Sequence, residues 1–175
     1  MKKGRIDTLL IDTVYHISQD SAKTFVYNVD ENSWLDGPSM STDRQRHSCA
    51  EVRDRYGKIT KIVVAGGYDS GRQNLWTTEI YDVGSNVWYN GPSMPSYNSA
   101  GYMVTAPPSS KYSVILSGGR GGNPQGGLQF NPYIMALSKD LTEWTNIENL
   151  EIIREEHVAV MVPPNFLAAC TYNDG

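Results

Sequence analysis

Histidine and cysteine are the residues of this chain best suited to metal binding or proton transfer, and few are present. The 175 residues contain three histidines and two cysteines. His47 lies two positions before Cys49, and an imidazole beside a thiolate can bind a metal ion. The other two histidines and the other cysteine lie far from that pair in the sequence; they are His16, His157 and Cys170. The sequence has no zinc-site, P-loop or serine-hydrolase motif, so we expect no metal, no cofactor and no catalytic residue.

Arginines form the second group of residues that could take part in binding or chemistry. A planar guanidinium binds carboxylates or phosphates through two parallel hydrogen bonds, and a nearby tyrosine ring adds flat apolar contact. The candidates for binding a partner in this way are Arg44, Arg46, Tyr68, Arg72, Tyr97, Arg120 and Arg154, with Tyr102 as a further tyrosine. The alternative is that the arginines line the surface or pair with Asp43, Glu155 and Glu156. The sequence leaves both interpretations open.

A glycine-rich segment at residues 118–127 resembles a phosphate-binding loop in composition only. It lacks the Lys-Ser/Thr ending of a P-loop and the glycine spacing of a dinucleotide-binding fingerprint. We therefore interpret it as a long surface loop.

An internal repeat shows which residues occupy equivalent positions. Residues 81–88, followed by Asn-Gly-Pro-Ser-Met, are matched without a gap by residues 27–34, which lie 54 positions earlier. Trp144 follows Trp88 by 56 positions and marks a third unit. Self-similarity at such a period is typical of repeat architectures. The residues assigned to the repeated scaffold are Tyr27, Trp34, Gly66, Gly67, Tyr81, Trp88, Gly118, Gly119 and Trp144.

The repeat assigns structural roles to most of these residues. His47 and His157 share one position, 110 residues apart, so we expect them in different units and not at one metal. The glycine pairs follow apolar segments, where a residue without Cβ permits positive φ and lets a bulky aromatic approach the backbone. The aromatic pairs of units one and two are expected to be buried between units, with their polar tips bonded to backbone; they are Tyr27 with Trp34 and Tyr81 with Trp88.

Composition and charge narrow the class of protein. Charged residues make up only 19% of the chain, and turn-forming residues are spread along it, which predicts an all-β protein. The repeated landmarks predict four short strands in each unit: A after Arg-x-x-His, B ending in Gly-Gly, C ending in Tyr, and D carrying Trp. A net charge of −4 argues against nucleic-acid binding. No apolar run approaches the roughly 20 residues of a membrane span. The two cysteines without motif spacing, and the absence of a signal-peptide pattern, predict a cytoplasmic protein.

The order Arg-x-x-His, Gly-Gly, Tyr, Trp and Pro-x-Met resembles the kelch repeat over essentially the whole chain. The resemblance implies a kelch-type β-propeller with about three four-stranded blades plus part of a fourth, in an open, incomplete ring. The single domain is residues 1–175, with repeats at approximately 5–43, 44–97, 98–153 and 154–175, the last incomplete. Three features depart from the pattern: Asp12-Thr13 replaces the glycine pair of unit one, Leu137 replaces the tyrosine of unit three, and Gly101 replaces the histidine of unit three.

The resemblance also implies the function. In kelch propellers the D–A connections and B–C loops share one face, where adaptors of the family bind short acidic peptides. We therefore expect a protein-interaction module with a protein or peptide partner of acidic character, and neither nucleic acid nor membrane. The module could be the substrate-recognition part of a cullin-based ubiquitin ligase adaptor, whose link to the ligase would need residues that this chain lacks. The alternative is a carbohydrate-active or galactose-oxidase-like propeller enzyme.

The number of units implies either association or truncation. Kelch propellers typically close with about six blades, so an arc of this length would expose the apolar flanks of its end blades. We expect a shortened form of a longer protein, or an arc that associates with another chain.

Overall fold

The protein is an all-β chain, as predicted. A computed structural model describes residues 13–17, as backbone only, together with residues 21–121 and 129–162. Thirteen strands lie in these ranges, and none of the described residues is helical. It follows that no helix in the described ranges could cross a membrane.

The strands form three antiparallel sheets and one short ribbon. The first sheet consists, in spatial order, of β1 (Thr13–Ile17), β2 (Thr24–Asn28) and β3 (Ser33–Asp36). The second consists of β4 (Ser48–Arg53), β5 (Ile59–Ala65), β6 (Thr78–Asp82) and β7 (Val87–Asn90). The third consists of β8 (Tyr102–Thr105), β9 (Tyr112–Ser117), β12 (Tyr133–Ser138) and β13 (Trp144–Asn149). The ribbon pairs β10 (Arg120–Gly121) with β11 (Gln129–Phe130).

The second and third sheets are the predicted strands A to D of units two and three, and the first sheet holds strands B to D of unit one. One detail of unit one was wrong. Thr13 lies inside strand β1 and not at the position of a glycine pair, because Ile17 pairs with Thr24 just as Ala65 pairs with Thr78. The B–C connection of unit one is shorter than that of unit two, so an alignment without gaps misplaces the strand before it.

Unit four differs from its prediction as well. Residues 158–162, predicted as strand A, are not in a strand. In units two and three, strand A is hydrogen bonded to strand B, and the segment predicted as strand B of unit four, residues 165–171, lies outside the described residues.

The core lies between the sheets, and strand β5 is buried on both of its faces. Ile62 and Val64 pack in a cluster that includes Met40 of unit one. Val63 and Ala65 point the other way, into the larger cluster shared with the third sheet. Alternate residues of a strand face opposite sides of the sheet, so this one strand joins two interfaces.

Tryptophans of strand D attach units two and three to the units before them. The Nε1 atom of Trp88 donates a hydrogen bond of 2.8 Å to the Pro38 carbonyl, and Nε1 of Trp144 donates one of 3.0 Å to Oγ1 of Thr78. Trp144 is buried, but Trp34 is 57% exposed, so its predicted burial between units is wrong for the described part of the chain. Trp88 and Trp144 each contact the preceding unit, and no complete unit precedes the first sheet among the described residues.

The glycine pairs combine positive φ with a close backbone contact, as predicted, but the approaching group is not an aromatic ring. Gly66 and Gly118 have φ of 68° and 60°. A Cβ on Gly66 would collide with the carbonyl oxygen of Asn98, and one on Gly118 would collide with that of Arg154. Both carbonyls belong to the D–A turn that opens the next unit, so the glycines are required where successive units meet.

Substitution of Gly66 by alanine tests this contact, with Gly57→Ala as the control. Gly57 also has positive φ, at 81°, but a Cβ there would meet nothing within 4 Å. We expect Gly57→Ala to cost about 1 kcal/mol of unfolding free energy from backbone strain, and Gly66→Ala at least about 2 kcal/mol more because it also displaces the turn. Urea denaturation measures both, and equal losses would contradict the contact.

Candidate partner-binding face

The D–A turns and B–C loops meet at the same end of the blades and are hydrogen bonded to each other. In unit two, the backbones of Gln45 and Tyr68 exchange hydrogen bonds of 2.8 and 2.9 Å. In unit three, Ser99 and Arg120 make the same exchange at 2.8 and 2.7 Å. We call this surface the loop face; it comprises residues 43–47, 66–77, 95–101, 118–121 and 154–157.

The D–A turns of successive units also bond to one another. The Ala100 amide donates to the Arg46 carbonyl at 2.8 Å, and the Glu156 amide donates to the Ala100 carbonyl at 2.9 Å. All three residues have positive φ, between 49° and 56°. Each of these residues is the third residue of its turn, so side chains from equivalent positions of the three units lie in a row across the loop face.

Arg44 does not belong to the exposed set in which the sequence placed it. Its side chain has no solvent exposure and donates to the backbone carbonyls of Gly66 and Thr77, both at 3.0 Å. It also pairs with the Glu79 carboxylate at 3.1 Å. Burial lowers the pKa of the guanidinium, and Glu79 opposes that shift. Arg44 therefore links the turn to strands B and C of its own unit and is not positioned to contact a partner.

Unit three replaces this arginine with Asn98, which performs part of the same task. Nδ2 of Asn98 donates to the Gly118 carbonyl at 2.7 Å, as Arg44 does to the Gly66 carbonyl. The buried Oδ1 of Asn98 would lie 2.6 Å from a Cβ on residue 101. Asparagine at position 98 therefore explains why Gly101 stands where the other units have histidine.

The carboxylate of the buried pair is replaced together with the arginine. Glu79 accepts hydrogen bonds from the backbone amides of Ser41 and Thr42, at 2.6 and 3.1 Å. The equivalent of Glu79 in unit three is Met135, and the equivalent of Ser41 is Pro95, which has no amide hydrogen. At these three positions unit three therefore has neither the positive charge, nor the negative charge, nor one of the amide donors, so the substitutions leave no unpaired charge there.

Two of the predicted arginines are paired with acidic residues of unit four. Arg120 donates from Nε and Nη2 to the two carboxylate oxygens of Glu155. Arg46 donates to Glu156 at 2.6 Å. The hydrogen bond from Arg120 holds the pKa of Glu155 below its usual range. These two arginines therefore pair within the chain, which was the alternative interpretation of the sequence. Asp43, the other predicted acidic partner, instead accepts a hydrogen bond of 2.7 Å from the Ser70 amide.

The other predicted residues lie on the loop face in different settings. Arg72 is exposed in the B–C loop of unit two, and no ion pair involving it is present among the described residues. Arg154 is exposed and donates to the Ile152 carbonyl at 3.2 Å. Tyr97 stacks on Trp76, with ring centroids 5.3 Å apart and an interplanar angle of 10°. Sequence reasoning missed Trp76 because it lies outside the repeated Trp position.

The two histidines lie in equivalent turns, as predicted. Nδ1 of His47 is 3.3 Å from the Arg44 carbonyl, and Nε2 of His157 is 3.1 Å from Oγ of Ser117. Desolvation first, and then the nearby charge of Arg154, lower the pKa of His157. Within the described residues, no three His, Cys, Asp or Glu side chains are grouped to hold a metal.

Breaking the buried pair should be costly, and removing both members should cost less than the sum. We expect Arg44→Ala to lose about 3–5 kcal/mol of unfolding free energy because Glu79 is left buried and unpaired. The control is Arg53→Ala, which removes an exposed pair with Glu51 and should cost less than about 1 kcal/mol. Chemical denaturation of Arg44→Ala, Glu79→Ala and the variant with both substitutions tests this; additive losses would contradict the pairing.

The lowered pKa of His157 predicts a loss of stability in mild acid. The unfolded chain takes up a proton on this histidine near its usual pKa of 6.5, whereas the folded chain does so only at lower pH. Stability should therefore fall as the pH drops below about 6.5. His157→Gln should reduce the difference in urea midpoint between pH 7.5 and pH 5.5, and an unchanged difference would contradict the assignment.

Comparisons with known proteins agree with this geometry. Residues 60–95 match the family model described as Kelch motif. No curated protein matches the chain. A solved structure titled "Structure of YjhT" is similar, with a TM-score of 0.62 and 13% sequence identity over 77% of this chain and 41% of that one. The chain thus spans less than half of YjhT, and the likeness concerns the fold alone. Residues 60–95 thus carry a Kelch motif, and the described part of the chain folds as blades of a kelch-type β-propeller.

Proposed function

We propose that this chain is a protein-interaction module whose loop face binds a peptide or protein partner. The observation that supports the proposal is the repeated pairing of D–A turn with B–C loop, which occurs in both four-stranded blades. The exchanges between Gln45 and Tyr68 and between Ser99 and Arg120 use backbone atoms only. Side chains at these exchanged positions can therefore vary without changing the scaffold, as in other proteins that bind through loops on a rigid framework.

Exposed groups on the loop face supply the contacts that a partner needs. The side chain of Trp76 is 47% exposed, and its ring is oriented by stacking on the ring of Tyr97. Arg72 lies in the same B–C loop as Trp76 and is exposed. Tryptophan, tyrosine and arginine dominate the binding energy of many interfaces because they combine large contact area with polar groups. The guanidinium of Arg72 suits a carboxylate on the partner, and this favours a partner with acidic side chains.

Two finer hypotheses have less support. Selection of substrates for a cullin-based ubiquitin ligase follows from the kelch resemblance alone, and the ligase would be reached through residues outside this chain. A carbohydrate-active or galactose-oxidase-like enzyme would need a catalytic group or metal site. The described residues that sequence analysis considered for such chemistry, His47 and His157, bond to backbone and to a serine hydroxyl, respectively.

Peptide selection tests the proposed function. Peptides selected from a display library on the immobilised chain would be synthesised, and their Kd measured by fluorescence polarisation. We expect Trp76→Ala and Arg72→Ala each to weaken binding at least about tenfold, as central interface residues do.

Matched controls lie at the other end of the same blade. Tyr56 is 78% exposed and Arg55 lies over its ring at 4.6 Å, in the A–B turn. Tyr56→Ala and Arg55→Ala should leave the Kd unchanged. The proposal is wrong if no peptide is selected, or if the substitutions at the two ends have equal effects.

A further inference from the structure

Two consecutive carboxylates of unit four occupy two arginines that come from different units. Glu155 binds Arg120, at the start of the B–C segment of unit three, and Glu156 binds Arg46, in the D–A turn of unit two. The hydrogen bond to Glu155 is the largest cause of the raised pKa of Arg120, and Glu156 is near enough to add to the same shift. The two arginines and two glutamates therefore form one cluster on the loop face.

The turn that carries the glutamates does not need their side chains. Its backbone is fixed because the Gly119 amide donates to the Arg154 carbonyl at 2.8 Å and the Glu156 amide donates to Ala100 at 2.9 Å. At the second and third positions of this turn, unit two has Gln45-Arg46 and unit three has Ser99-Ala100. All three turns have the same backbone form with different side chains, so an acidic pair is not a requirement of the fold.

The two ion pairs differ in how readily they separate. The side chains of Arg46 and Glu156 are 45% and 61% exposed, so water can replace that contact at little cost. Glu155 is only 18% exposed and bonds Arg120 through both carboxylate oxygens. Such two-point pairs are stronger than single contacts, so Arg120 is the more firmly occupied of the two.

We propose that Glu155 and Glu156 act as an internal occupant of the arginine pair Arg46 and Arg120, and that an acidic peptide binds there by displacing these two carboxylates. The inference rests on the proposed function and specifies its partner: a segment with closely spaced carboxylates. The displacement lowers the affinity of such a partner, so the intact loop face discriminates against weakly acidic peptides. Because the competing groups belong to the same chain, the competition does not depend on protein concentration.

The test uses a fluorescein-labelled hexaglutamate peptide, with hexaglutamine as the neutral probe, at low ionic strength. Glu155→Gln/Glu156→Gln removes the competing charges and keeps the side-chain shape. We expect this variant to bind hexaglutamate about fivefold to tenfold more tightly than the unaltered chain, and Glu156→Gln alone about twofold to threefold. Addition of Arg46→Ala and Arg120→Ala to the double variant should abolish the gain.

The control for net charge is Glu31→Gln/Glu143→Gln, which changes the charge equally at two exposed positions in the C–D turns, at the opposite end of the blades. It should give no gain, and neither should any variant with hexaglutamine. The inference is overturned if the loop-face variant and this control gain equally, or if neither binds hexaglutamate more tightly. Glu156→Gln, at a side chain 61% exposed, decides the matter if the double variant does not fold.

Failure here is distinguishable from failure of the proposed function. Selected peptides that still depend on Trp76 and Arg72, with no gain from the glutamine variants, would leave the interaction module in place and remove only the internal occupant. A gain from the glutamine variants without any peptide that depends on Trp76 and Arg72 would leave a carboxylate site but contradict the proposed module.

Discussion

The contact between a glycine pair and the D–A turn of the next unit is the constraint on which the rest of the structure depends. It occurs twice with the same atoms: the Gly67 amide donates to the Asn98 carbonyl at 2.7 Å, and the Gly119 amide donates to the Arg154 carbonyl at 2.8 Å. No side chain can occupy the space between these backbones. The contact fixes the distance between successive blades, and the apolar clusters on either side of β5 fill the volume that remains.

Around that contact, units two and three fill the same buried positions with different side chains. Unit two uses a charged pair, Arg44 and Glu79, which reaches strands B and C. Unit three uses the shorter Asn98 with the apolar Met135, and both are buried. A change of one partner alone would bury an unpaired charge, which is far more costly than the loss of the pair. Units of a degenerate repeat therefore differ by sets of residues and not by single substitutions.

The loop face also depends on contacts between successive turns and loops. Its shape is determined by backbone hydrogen bonds between turns and loops, so the exposed positions are free to carry recognition chemistry. Some of that chemistry is already engaged within the chain, where glutamates of unit four bind Arg46 and Arg120. The groups that remain accessible include Trp76, held flat by its stacking on Tyr97. Affinity at such a face depends on what a partner must displace as well as on what it contacts.

The sequence by itself determined the repeat, and the strands and glycine pairs of units two and three, because equivalent positions in a repeat face equivalent constraints. The sequence could not show that Arg44 is buried while Arg46 is 45% exposed. The two arginines lie two positions apart in one turn, and the sequence pattern of a turn does not indicate which side chains are buried. Nor could it pair Arg46 with Glu156, which is 110 positions away. The burial of Arg44 and the pairing of Arg46 depend on which turns lie side by side when the blades pack together, and only the tertiary structure determines that arrangement.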